Sequence, residues 1–115
     1  MKEKEDIVFI NHVLDSINAI VDYSKNMDKE DLVLNRMKQS AIVREIEIIG
    51  EASKNISNSV RKKYFSVPWR DIIGTRDKII HKYFEVDLDM IWEIIKKDIP
   101  ELKKEILKIK EDMEK

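Results

Sequence analysis

SAIVREIEIIGEASKNI, residues 40–56, decides how this chain folds. At about 100° per residue, Ala41, Ile42, Ile46, Ile48, Ile49, Ala52 and Ile56 cover well over a third of a helix circumference. So broad an apolar arc implies burial against more than one neighbour, a second subunit being one candidate. Gly50 inside the arc lowers helix stability by roughly 1 kcal/mol relative to alanine. Close approach of another helix is the usual compensation. A long second helix over 30–56, buried against more than one neighbour, is therefore expected.

The flanking sequence supplies its companions. Residues 5–26 form a first helix with Ile7, Ile10, Leu14, Ile17 and Val21 on one stripe. NMDKED breaks it and offers Asp28 as the cap of the next helix. NISNSV is a turn with Ser57 or Ser59 as cap, followed by a short helical piece, VRKKYF. SVP ends that piece, and Pro68 suits the first turn of a third long helix over 68–84. EVDLD is another cap signal, opening a last helix over 88–113 that Pro100 should kink or divide. The pattern predicts an all-α, up-and-down bundle of four to five helices, with residues 1–115 as one domain.

Bulk composition narrows the function classes. The 115 residues are 43% apolar and 39% charged, with two Gly, two Pro and no Cys. Disulfide frameworks and thiolate metal sites are excluded. MKEKEDIVFINHV lacks the apolar core of a signal peptide, and no apolar run approaches the ~20 residues of a membrane helix. A soluble cytoplasmic protein with no membrane partner is expected. The net charge of −1 is uneven: residues 61–84 hold seven Lys/Arg against two Asp/Glu, and the segments on either side are acidic. A local basic patch on a near-neutral chain permits phosphate binding.

RDKIIHKYF, residues 76–84, lies in that basic segment. Counting about 100° per residue from Trp69, Ile72, Ile73, Ile79, Ile80, Tyr83 and Phe84 form one arc, and Arg76 falls inside it at about 340°. A guanidinium cannot shed its charge to escape burial. Either a carboxylate meets it, Glu45 on the second helix being the candidate, or the arc ends in a cleft that admits an anion. Asp77 and His81 stand four apart, so on a continuous helix the carboxylate can fix the imidazole tautomer and raise its pKa. Gly74 leaves room beside the ring, and Arg70 shares that flank. His12 has no comparable company and reads as structural. With one such histidine per chain, two-histidine chemistry needs a second copy across a two-fold groove.

R-x4-H-x-Y in RDKIIHKYF resembles the motif of HEPN domains, specifically the HepT-like toxins. IIGEASK, VPW and KKDIPELKKEI fit the same branch, so the resemblance spans nearly the whole chain. It implies a helical homodimer whose two motifs face a shared cleft, and a metal-independent endoribonuclease that uses no cofactor. His81 would act as general acid/base on the ribose 2′-hydroxyl, and Arg76 would stabilise the phosphorane-like transition state. Asp77 occupies the polar slot after the arginine, where the family often has asparagine, and would position the other two. Products would be a 2′,3′-cyclic phosphate and a 5′-hydroxyl. The resemblance further implies a toxin–antitoxin pair in which a minimal nucleotidyltransferase antitoxin AMPylates Tyr83. The bulky anionic groups would occupy the phosphate site and repel RNA. The alternative is a non-catalytic helical dimer that binds and regulates the nucleotidyltransferase.

Overall fold

The computed structural model describes residues 2–80 and 85–115, with side chains from Glu5 onward. Its α-helices are α1 (Lys2–Tyr23), α2 (Lys29–Leu34), α3 (Arg36–Asn55), α4 (Asn58–Lys63), α5 (Trp69–Ile79), α6 (Leu88–Glu93) and α7 (Ile99–Met113). A π-helical turn, Ile94–Asp98, joins α6 to α7. Among the described residues there is no strand, only an isolated antiparallel bridge between Ile80 and Val86. No helix among them is long and apolar enough to cross a membrane.

α1 lies along α3 and α7, and α3 also packs on α5 and α2. The broad arc of α3 thus has several neighbours within one chain. Ile42, Ile46, Ile49 and Ala52 are buried there, and Ile10, Val13, Ile17 and Ile20 of α1 face them in one core. Val21, expected on the buried stripe, is 41% exposed, because the inward stripe of α1 runs through Val13 and Ile20 instead. A Cβ on Gly50 would stand 3.4 Å from the Ile72 carbonyl oxygen and 3.5 Å from that of Ile73. The glycine marks the closest approach of α3 and α5.

Capping side chains set most boundaries. Asp28 and Asp31 form a reciprocal box, each carboxylate accepting the other residue's backbone N–H. The helix expected over 30–56 is divided at Asn35, whose extended backbone ends α2 and whose side chain accepts the Lys38 N–H to start α3. Ser57, rather than Ser59, caps α4, and Asp87 caps α6 by accepting the Met90 N–H at 3.0 Å. α1 stops at Tyr23, three residues short of expectation, and Asn26 follows with φ 60°, a left-handed conformation that asparagine tolerates.

Asp6 fastens the start of α1 to the α3–α4 turn. Its buried carboxylate accepts the Ser57 N–H at 2.8 Å and the Ser57 hydroxyl at 2.7 Å. The last helical stretch runs from α6 through the π-helical turn into α7 without an intervening loop, and Pro100 falls in the first turn of α7. The Ile99 N–H reaches back five residues to the Ile94 carbonyl, so the wide π turn precedes the proline. Such a turn relieves the clash between a proline ring and the carbonyl four residues back.

The helix expected over 68–84 covers only Trp69–Ile79. Ile80 is extended (φ −107°, ψ 117°), and the Asp87 N–H donates to the Ile79 carbonyl at 2.8 Å. Pairing of this backbone with 86–87 replaces another helical turn. His81, Lys82, Tyr83 and Phe84 lie outside the described residues, and with them the expected places of His81 and Tyr83.

Candidate functional site

α3 and α5 run antiparallel through the Gly50 contact. One turn back from Gly50 on α3 is Glu47, and one turn forward from Ile73 on α5 is Arg76. Accordingly the Arg76 Nε stands 3.3 Å from the Glu47 carboxylate Oε2. Glu47, not Glu45, is the partner. The choice follows from the register that Gly50 imposes, a signal present in the sequence once that glycine is taken as the crossing point.

The arginine is not sealed in the core. Its side chain is 50% exposed and that of Glu47 29% exposed. Arg76 therefore lies where the interhelical face opens to solvent near the end of α5. Asp77, 88% exposed, has its Oδ1 3.8 Å from an Arg76 terminal nitrogen, beyond hydrogen-bond range. Among the described residues no hydrogen bond engages those terminal nitrogens. Among the described residues, the Glu47 carboxylate thus pairs with the guanidinium at Nε. Arg76 and Lys78 also sit in the last turn of α5, where cations complement the helix dipole.

The structure brings together Arg76 and Asp77, adds Glu47, and leaves His81 and Tyr83 outside the described residues. The helical adjacency of Asp77 and His81 would need the helix to continue through Ile80, which is extended. A Cβ on Gly74 would meet nothing within 4 Å among the described residues. Arg70, Gly74 and Asp77 fall within about 60° of one another around α5, so they line one flank of it. His12 is exposed on α1, its ring edge-on to Phe9 at 6.0 Å between centroids.

Two hollows border α5. A cleft of about 420 Å³ on one flank has Ile46, Ile49, Ile72 and Ile99 in its walls and Asp71, Asp98, Glu101 and Glu105 around it, against Lys104. Burial, chiefly, and then the nearby Glu93 push the Asp98 carboxyl above its usual value. An acidic rim disfavours phosphate. The other hollow, about 680 Å³ and open, lies at the N-terminal end of α5 and includes Arg61, Lys62 and Arg70. Among the described residues no three His, Asp or Glu side chains are grouped so as to hold a metal ion.

The family model described as ribonuclease HepT-like matches residues 13–109. A Thermococcus cleftensis protein named "Probable ribonuclease HepT" is 37% identical over 102 residues, 89% of this chain and 93% of that protein. A Methanocaldococcus jannaschii protein named "Putative RNase" is 39% identical over 106 residues, 92% of this chain and 97% of its own length. A second protein from that organism, named "Gamma-glutamylcyclotransferase and putative RNase", is 46% identical over 112 residues. That match takes in 97% of this chain but only 50% of the relative, so the chain spans about half of that protein's length. No solved structure matches the chain.

Proposed function

Since the chain belongs to the HepT-like ribonuclease family, we propose that it cleaves RNA with Arg76 as the charge-stabilising group of the site. One observation carries the reading: a half-exposed guanidinium whose Nε stands 3.3 Å from the Glu47 carboxylate and whose terminal nitrogens have no hydrogen bond among the described residues. An arginine retained only for stability would be better served by a buried bidentate pair or by an apolar replacement.

The chemistry is a transesterification. His81 takes the proton of a ribose 2′-hydroxyl, whose oxygen attacks the adjacent phosphorus. The P–O5′ bond breaks as the departing O5′ takes a proton from an imidazolium, giving a 2′,3′-cyclic phosphate and a 5′-hydroxyl. Arg76 donates to the phosphoryl oxygens, which gain negative charge in the transition state, and Asp77 positions the two groups. A second copy of the chain, related by a two-fold axis, brings a second Arg76 and His81 to the same groove. No metal ion is required.

The same reading assigns the protein as the toxin of a toxin–antitoxin pair. A minimal nucleotidyltransferase antitoxin transfers AMP to the Tyr83 hydroxyl, and the added phosphates compete with RNA for Arg76.

Purified protein should cut RNA in the presence of EDTA, and His81→Ala should abolish cutting with the secondary structure unchanged. Cutting that survives the substitution, or that needs a divalent metal, refutes the mechanism. If Arg76→Ala leaves RNA and growth unaffected while a nucleotidyltransferase still binds, the chain is a regulatory dimer instead. Co-expression with the antitoxin should add AMP units to the intact mass, mapping to Tyr83.

A further inference from the structure

The open hollow at the N-terminal end of α5 has a composition that the cleavage chemistry does not use. Phe65 stands on its wall with 83% of its surface exposed. Its presentation is fixed by local bonds. The Val67 N–H donates to the Tyr64 carbonyl at 3.1 Å, the Trp69 N–H to that of Val67 at 2.8 Å, and the Trp69 indole N–H to Tyr64 at 3.1 Å. Trp69 is buried beneath this turn and forms part of the hollow. A phenylalanine held out in water by an ordered turn forgoes the burial that would normally stabilise the fold.

Around that ring stand three cations, Arg61, Lys62 and Arg70, against one carboxylate, Asp71. A terminal nitrogen of Arg61 donates to the Asn58 side chain at 2.7 Å, which orients the guanidinium, while its buried Nε has no partner among the described residues. Asp71 is drawn partly away, with its Oδ1 3.7 Å from Lys78. The hollow is also continuous with the site flank. From Arg70 this side of α5 passes Gly74, where no described residue lies within 4 Å of an added Cβ, and reaches Asp77 two turns on, about 10 Å away.

We propose that this hollow is a subsite for single-stranded RNA, in which Phe65 stacks on an unpaired base while Arg61, Lys62 and Arg70 hold the flanking phosphates. An exposed aromatic ring among cations is how proteins grip single strands without reading their sequence, since every base has a face to stack. Charge decides between occupants. A second copy of this chain would bring the same cations against themselves across a two-fold axis, whereas a polyanion neutralises them. The inference rests on the ribonuclease reading for its ligand but places the grip on the strand away from the reacting phosphate.

The test uses the full chain and a single-stranded oligonucleotide whose 2′-hydroxyls are methylated, so that binding is measured without cutting. A fluorescent base analogue within it should be quenched on binding. Phe65→Ala should abolish the quenching and raise Kd about tenfold, and Phe65→Tyr should preserve both. Arg70→Gln or Lys62→Gln should reduce the slope of log Kd against log salt by about 0.7 each. The duplex of the same sequence should not distinguish Phe65→Ala from wild type. Unchanged Kd and quenching in Phe65→Ala overturn the subsite. So does a fall in the mass measured by light scattering for Phe65→Ala, which would assign the ring to a contact between copies. Cutting of ordinary RNA is scored separately. Cutting by wild type with binding indifferent to Phe65 sinks the subsite alone, whereas Phe65-dependent binding without cutting sinks the nuclease reading alone. Absence of both overturns both.

Discussion

Gly74→Ala offers a direct probe of the α5 flank. Gly74 lies mid-helix, and a Cβ there would meet nothing within 4 Å among the described residues. With no clash to offset it, the substitution should express the helix-propensity difference of about 1 kcal/mol as added stability. For a domain of this size that corresponds to a rise in Tm of roughly 4 °C. Gly50 is the control. Its Cβ would just touch the Ile72 and Ile73 carbonyls at 3.4 and 3.5 Å, so alanine fits but leaves no slack. Gly50→Val should force α3 and α5 apart and destabilise by about 1–3 kcal/mol. Far-UV circular dichroism during thermal and urea unfolding measures both. Under the proposed path for the strand, Gly74→Ala should also raise KM for RNA cleavage severalfold while the fold becomes more stable. A fall in Tm for Gly74→Ala would refute the reasoning, because it would mean that this flank is covered in solution.

Three further expectations concern partners of named carboxylates. Arg76–Glu47 should show a stability coupling below about 1 kcal/mol in a double-mutant cycle, since half of the arginine side chain is exposed. Glu47→Ala should nonetheless lower kcat about tenfold, because the guanidinium loses its fixed orientation. Asp6→Ala removes the acceptor of two Ser57 donors at 2.8 and 2.7 Å and should cost about 2–3 kcal/mol in urea unfolding, with Asp6→Asn costing less. Asp98 has its carboxyl raised by burial, then by Glu93, so its charged form is disfavoured in the folded chain. Stability should therefore decline as pH rises through its folded pKa, and Asp98→Asn should gain a few tenths of a kcal/mol at pH 7, the side chain being largely exposed. That gain should vanish below the ordinary aspartate value of 3.8, where both states are protonated.

Periodicity made the bundle readable because helix faces repeat at a spacing that a one-dimensional pattern can carry. The wide arc around Ile46 and Ile49 and the glycine at position 50 call for more than one neighbour, one of them close, and α3 has them. Caps were legible for the same local reason: Asp28, Ser57 and Asp87 each act within three residues of themselves. The end of α5 was not legible. Ile79 and Ile80 continue the helical apolar pattern, but backbone pairing with Val86 and Asp87, a non-local event, ends the helix before His81. The break at Asn35 was missed because asparagine inside a helical pattern looks like a surface residue, whereas its side chain serves as a cap. Glu45 was preferred to Glu47 because the wheel of α3 was considered without the register of α5. Arg61 is legible as one cation of the basic segment, but Phe65 reads as an ordinary apolar residue of VRKKYF until its exposure is known.

The distribution of charge along α5 separates holding RNA from cutting it. At the C-terminal end, among the described residues, Arg76 stands beside two carboxylates, Glu47 and Asp77. At the N-terminal end Arg61, Lys62 and Arg70 outnumber Asp71. Interactions made equally in ground and transition states lower KM without raising kcat, so a strongly attracting arginine at the reacting phosphate would gain little. Neutralising Arg76 with Glu47 tempers ground-state attraction yet keeps the guanidinium ready for the charge that develops on the phosphoryl oxygens. The two ends should therefore fail differently. Arg76→Lys loses the planar fork held by Glu47 and should lower kcat at least tenfold with KM and its salt dependence nearly unchanged. Arg61→Gln combined with Arg70→Gln should raise KM, flatten its salt dependence and spare kcat. Steady-state cleavage of a short single strand at several salt concentrations separates the two, and a salt-dependent KM that moves with Arg76 rather than with Arg61 and Arg70 would contradict this division of labour.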